Sequence, residues 1–271
     1  MIRKRLPILT GLLIVWSFAF AGTALAAVPT NDLKTGVEAL SVPDSLTLDT
    51  RDATTDADDA AMNPDECGAP ATDASVWYSL TGSGSWVAID VSESSYSAGV
   101  LVTTGDPDNS FVTCGPGAVA WLAETGVTYS ILVIDDQLDG TGNGGDLKLS
   151  AEEIPPPPEV TLTVNPKGVF DAHTGAAVVR GTITCTGDAT DSFIDVFMRQ
   201  KTGRLFIDGE GFVEGFTCDG ATHPWSVDIF PFNGVFKGGK TATVTFALAC
   251  GEFLCGEGFD ESVVSLSSKK K

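Results

Sequence analysis

His173 and His223 are the only imidazoles in this 271-residue chain, and so its only ordinary neutral-pH bases. A hydrolytic triad needs one of them beside a nucleophilic serine and an aspartate. Neither has that setting in the sequence. His173 lies in Asp171-Ala172-His173-Thr174-Gly175, a hairpin-loop composition, and His223 precedes Pro224-Trp225, at a turn or strand edge. Ser83 sits between Gly82 and Gly84 without the strand-turn-helix context of a nucleophile elbow. No H-E-x-x-H, phosphate-loop or dinucleotide fingerprint occurs. With 36 Asp and Glu in the chain, a carboxylate pair of the glycosidase kind is expected by chance. These residues indicate a non-catalytic protein; hydrolysis at an unrecognised carboxylate or histidine site is the alternative.

One loop invites a metal reading. Asp135, Gln137, Asp139 and Asp146, with Gly140 at the bend, partly follow the D-x-[DN]-x-[DN]-G-x5-E calcium pattern. Calcium takes several oxygens from a chain that folds back on itself. Gln137 and the short Asp146 depart from the pattern, and the flanks read as strands, so a solvated hairpin loop is the competing reading. Calcium is the one cofactor this loop suggests; no other is implied. Exposed aromatics are the other binding candidates, because flat sheets often stack ligands on them. Trp86 lies opposite the Val87/Ile89/Val91 face, Tyr96 in a Ser-rich turn, and Phe230 and Phe232 beside Pro231.

The elements that must position these residues are strands. Val76/Tyr78/Leu80 and Val87/Ile89/Val91 alternate with period two, and 99–103, 118–123, 129–134 and 146–150 continue the pattern. Residues 49–66 read as a long acidic loop. Four prolines, Pro155 to Pro158, then interrupt the chain with a segment that favours an extended, donor-poor backbone. Beyond them, Val160/Leu162/Val164, Trp225/Val227/Ile229 and Val244/Phe246/Leu248/Cys250 resume the alternation, with further strands at 177–186, 193–200, 204–208, 211–218 and 263–266. The expected fold is all-β: two β-sandwich domains, the first of jelly-roll kind at 28–151 and the second immunoglobulin-like at 159–268, joined by a Pro-rich linker at 152–158.

Cysteine use and the N-terminal residues indicate export. Arg3, Lys4 and Arg5, an apolar run from Leu6 to Phe20 and Ala24-Leu25-Ala26 have the form of a signal peptide at 1–26. An oxidising compartment lets the six cysteines persist as Cys67–Cys114, Cys185–Cys218 and Cys250–Cys255. No second stretch is long and apolar enough to span a bilayer. The formal charge is −20, with −17 carried by residues 28–151. Such a field repels nucleic acid and anionic lipid.

Several segments occur together in order: Asn31-Asp32, Cys67-Gly68, Ser75-Val76-Trp77-Tyr78, Cys114, Gly126-Val127-Thr128-Tyr129 and Gly145-Asp146-Leu147. This set resembles the bacterial pre-peptidase C-terminal domain over about 31–151. The resemblance implies a β-sandwich accessory module, of which some members bind collagen, polysaccharide or calcium. Gly181-Thr182-Ile183-Thr184-Cys185, Cys218-Asp219-Gly220 and Phe236-Lys237-Gly238-Gly239 are similar to a family of secreted actinobacterial β-sandwich domains without a known activity, over about 159–267. The expected function is that of a secreted accessory or surface-interaction protein. Its partner would be an extracellular polymer, polysaccharide or matrix protein, or another exported protein. Calcium-dependent carbohydrate or matrix binding is the alternative.

Overall fold

The computed structural model describes residues 27–62, 67–69, 72–104 and 110–268; the expected leader at 1–26 lies outside them. The first half contributes β1 (Glu38–Ala39), β2 (Asp44–Asp49), a helix α1 (Ala57–Ala61), β3 (Asp73–Thr81), β4 (Ser85–Asp90), β5 (Ala98–Thr104), β6 (Ser110–Pro116), β7 (Ala118–Ala123), β8 (Thr128–Asp135) and β9 (Asp146–Ile154). The second half contributes β10 (Glu159–Val164), β11 (Lys167–Phe170), β12 (Ala177–Thr186), β13 (Asp191–Thr202), β14 (Leu205–Glu214), β15 (Thr222–Pro231), β16 (Gly239–Cys250) and β17 (Cys255–Ser268). The protein is all-β and sandwich-type, as its alternation required.

Two sheets face each other in the first half, in the orders β1-β3-β8-β5-β6 and β2-β9-β4-β7. Val76, Tyr78, Val87, Ile89, Ile131 and Leu149 meet between them, which is the face the period-two pattern selects. Tyr129 packs edge-on to Trp121 with ring centroids 5.6 Å apart, and its hydroxyl accepts the Glu124 amide at 2.9 Å. That bond fixes the turn into β8.

The long acidic segment at 49–66 is not only loop. Asp56 caps α1 and Asp59 returns the favour in a capping box, so five residues close into a short helix. The helix, with Met62, Cys67 and Ala69 beyond it, packs on the outer face of the first sheet. Trp77, whose side chain points away from the main core, is buried there with Met62, Leu101, Leu132 and Ile134, beside the Cys67–Cys114 disulfide. The Trp77 indole donates to Asp59 at 2.8 Å. Burial pushes the Asp59 carboxyl pKa up, and the indole bond works against that shift.

The proline-rich linker is shorter than the expected 152–158. Glu152, Glu153 and Ile154 belong to β9 and pair with Ala88, Val87 and Trp86. Their backbone donors are intact, so the ladder runs up to the first proline, and only Pro155–Pro158 stand outside strands. Pro158 is buried against the second half, where any Cβ on Gly256 would collide with the Pro158 carbonyl. No strand pairing among the described residues crosses the proline run.

In the second half all eight strands join one sheet, ordered β10-β12-β11-β17-β16-β13-β14-β15, and an additional β12–β15 pairing closes it on itself. The core inside it holds Ile194, Val196, Met198, Trp225, Val227 and Phe236. The strands expected separately at 204–208 and 211–218 are one strand, β14. Gly209 lets β14 run over the buried Phe236 ring, since a Cβ there would lie 2.8 Å from it. All three expected cysteine pairs are formed. Cys185–Cys218 ties the end of β12 to the chain before β15, and Cys250–Cys255 closes the β16–β17 turn.

Candidate functional site

The loop at 135–146 does not gather its oxygens. Asp135 is fully buried, and its carboxylate accepts the amides of Gln137 and Gly144, both at 3.0 Å. Asp139 accepts the amide and hydroxyl of Thr141 at 2.9 and 3.0 Å, and those bonds hold its pKa below the ordinary carboxylate range. The Gln137 side chain donates to Asp73. Asp146 is turned to Arg51, 2.8 Å away, which lowers its pKa. Among the described residues no three His, Cys, Asp or Glu side chains are grouped to hold a metal ion. Loop amides hold Asp135 and Asp139, and Arg51 holds Asp146, so the acids that the calcium pattern counted as ligands face different partners.

The histidines stand apart. His173 is in the hairpin between β11 and β12, and His223 pairs with Ile183 towards the other end of β12. At about 3.3 Å per residue, the strand between them separates them by roughly 20 Å. His223 contacts Asp219 at 2.8 Å and depresses its pKa. No serine hydroxyl bonds either ring among the described residues. Neither histidine lines the cleft of about 340 Å³ beside the prolines, formed by Glu152, Glu153, Asp188 and Phe253 among others. Nor does either line the cleft of about 350 Å³ beside Cys67, Leu101 and Cys114.

Of the four expected aromatic contacts, Tyr96 is corrected. It is 9% exposed, packs into the first core, and burial pushes its hydroxyl up to about 12. The Ser-rich turn folds it inward, where it joins Val91 and Ala98. Trp86 is half-buried in β4, between Leu122 of β7 and Ile154 of β9. Phe230 and Phe232 are each 63% exposed.

Those two phenylalanines stand at the margin of a larger feature. Along β13, Ile194, Val196 and Met198 point into the core, so Phe193, Asp195, Phe197 and Arg199 point out. β14 presents Phe206, Asp208, Glu210 and Phe212 on the same side, β16 presents Val244, Phe246 and Leu248, and β17 presents Glu257, Phe259, Glu261 and Val263. Register places them in rungs. Phe212, Asp195, Phe246 and Phe259 form one rung, and Glu210, Phe197, Val244 and Glu261 the next. Phe230 of β15 lies opposite Glu210 and extends that rung. Four strand spacings make the face roughly 19 Å wide.

On this face exposed phenylalanines are interleaved with acidic side chains. Phe206, Phe212 and Phe259 are 53%, 68% and 61% exposed. Phe193 and Phe246 lean on each other with centroids 6.1 Å apart, and the Arg199 guanidinium sits 5.8 Å from the Phe206 ring while it grips Asp208. Glu210 is beside Asp195, whose negative charge raises its pKa. On β16 the expected inward face is corrected: Val244, Phe246 and Leu248 point out, and the smaller Thr243, Thr245 and Ala247 fill the core side. The signal for the face is that outward phenylalanines recur on four neighbouring strands, β14, β13, β16 and β17.

No family model matches the chain, and no curated protein matches it. Among solved structures, a Bordetella pertussis protein assigned as ApaA is 15% identical, covering 41% of this chain and 95% of that one at a TM-score of 0.28. A GH2 β-galacturonidase from Eisenbergiella tayi is 12% identical over 75% of this chain, with a TM-score of 0.27. A Bacteroides uniformis β-glucuronidase is 12% identical over 72% of this chain, with a TM-score of 0.21. The chain spans only 37% and 26% of the lengths of these two glycosidases. Likeness at such TM-scores carries no argument about activity.

Proposed function

We propose that this is a secreted, non-catalytic interaction protein that engages its partner through the outer face of β14, β13, β16 and β17. The observation that carries the reading is the set of solvent-facing rings there, with Phe206, Phe212 and Phe259 all more than half exposed. Clusters of exposed large apolar side chains rimmed by polar residues often mark interaction surfaces. Sheet rungs hold the rings at fixed spacing, which suits a binding surface. The three disulfides and the leader-like N-terminus support export. The separated histidines support a role without hydrolysis. In this reading the strongly acidic first half, which resembles pre-peptidase modules, is an accessory domain that keeps the protein soluble and spaced from its partner.

The test is a binding panel with the leaderless chain, with and without calcium: neutral and acidic polysaccharides, collagen and exported polypeptides, each against wild type and Phe212→Ser/Phe259→Ser. Binding that the double substitution removes supports the proposal. Binding untouched by it, or turnover on a hydrolase panel lost in His173→Ala or His223→Ala, contradicts it.

A further inference from the structure

We infer that the partner of this face is a basic polypeptide, whose arginine or lysine side chains end on the Asp195–Glu210 pair while its apolar residues cover the surrounding phenylalanines. This rests on the face being the interaction surface. Asp195 is ringed by Phe193 and Phe197 along its own strand and by Phe212 and Phe246 across its neighbours. One of its carboxylate oxygens is shut off from solvent and has no hydrogen-bond donor. A shielded carboxylate oxygen without a donor is costly, and a cation held against the open side of the partly exposed Asp195 carboxylate offsets that cost. Glu210 lies on the next rung within hydrogen-bonding reach, and the mutual repulsion of the two carboxylates raises its pKa.

The chain's own cations on this face are placed elsewhere. Arg199 is held by Asp208, Lys201 sits on the Phe206 rung, and Lys240 is opposite Ser265. No basic side chain among the described residues forms an ion pair with Asp195 or Glu210. Glu214, Glu257 and Glu261 surround the pair, so the face as a whole is negative. Charge complementarity thus selects a cationic partner. A second copy would set carboxylates against carboxylates, and an acidic polysaccharide would be repelled. A neutral sugar would leave Asp195 without a charged donor. Phenylalanine rings lack a hydroxyl or N–H for sugar hydroxyls, but their faces attract guanidinium and ammonium groups.

The experiment uses fluorescence anisotropy on the full leaderless chain at physiological ionic strength. The probes are a synthetic peptide alternating arginine with leucine and its citrulline counterpart, equal in shape but uncharged. The arginine peptide should bind about tenfold or more tighter, as charge-assisted hydrogen bonds require. Asp195→Asn/Glu210→Gln should erase that preference, and Glu210→Gln alone, which disturbs no packing, should reduce it. Phe212→Ser/Phe259→Ser should weaken both peptides. Equal affinity for the two peptides, with both lost in the phenylalanine variant, overturns the basic-partner inference and leaves the interaction face standing. Peptide binding unchanged in the phenylalanine variant overturns both. Sedimentation showing a dimer that Phe212→Ser abolishes also overturns the inference, in favour of a second copy.

Discussion

If the outer phenylalanines serve recognition, removing them must cost the fold little. A phenylalanine fully buried in a protein covers about 200 Å². Phe212 and Phe259 are 68% and 61% exposed, so only about a third of each ring is covered in the free protein. At about 25 cal/mol per Å², that is about 1.6 kcal/mol for Phe212 and about 2 kcal/mol for Phe259 as upper estimates, and roughly 1 kcal/mol each under the largest correction for a compact denatured chain. Phe212→Ala/Phe259→Ala should therefore destabilise by about 2 kcal/mol in total. Phe236, 1% exposed inside the same sheet, gives the contrast: Phe236→Ala should cost about 3–5 kcal/mol through lost burial and a residual cavity. Urea titration followed by 19F NMR of 5-fluorotryptophan reads this out, because Trp225 is the only tryptophan after the prolines and is buried in that core. A double variant that loses as much stability as Phe236→Ala would show that the face is structural, and the recognition argument would fail.

Other consequences can be measured on the same material. Replacing Cys67 and Cys114 together by alanine opens a loop with a sequence separation of 47, so the chain-entropy model predicts a loss of about 4 kcal/mol; the Trp77, Trp86 and Trp121 signals should melt earlier while Trp225 is unmoved. Glu210 has a raised folded-state pKa, so the pair favours folding in acid, and that contribution is lost as pH rises through the raised value. Glu210→Gln should accordingly raise the second half's urea midpoint at pH 7 and flatten its pH dependence just above the ordinary carboxylate range; an unchanged profile would deny the Asp195 coupling. Because Asp146 is committed to Arg51 and Asp139 to Thr141, millimolar calcium should leave the melting midpoint of the first half unchanged. A rise of several degrees would restore the calcium reading of the 135–146 loop.

Much of the architecture was readable because alternation names one face of each strand. Val76, Tyr78 and Leu80 face the core as the pattern requires, and the cysteines pair within the halves that the prolines define. Alternation does not say whether the opposite face is covered. Trp77 is fully buried because Asp59 of α1, Met62, Cys67 and Ala69 pack over it, a tertiary event with no periodic signature. The same limit hid the outward phenylalanines of β13 and β14, and on β16 alternation picked out Val244, Phe246 and Leu248 without saying that their face is the outer one. β17 was expected only at 263–266, yet it begins at Cys255. Gly256 and Gly258 lie in its first paired residues, where Pro158 and Val160 pack directly on them and leave no room for a side chain. Tyr96 was misplaced for a related reason: a serine-rich turn says that the chain reverses, not on which side of it the ring lies.

The surface of contact proposed for this protein is the β14–β13–β16–β17 face. Hydrogen–deuterium exchange of the full chain, with and without the saturating arginine–leucine peptide, tests it directly. Contact at this face should add protection on the central rungs of β13, β14, β16 and β17, around Asp195, Phe212, Phe246 and Phe259, with β10 and the first half unchanged. Protection confined to the first half, or to the outer side of β10 and β12, would contradict it.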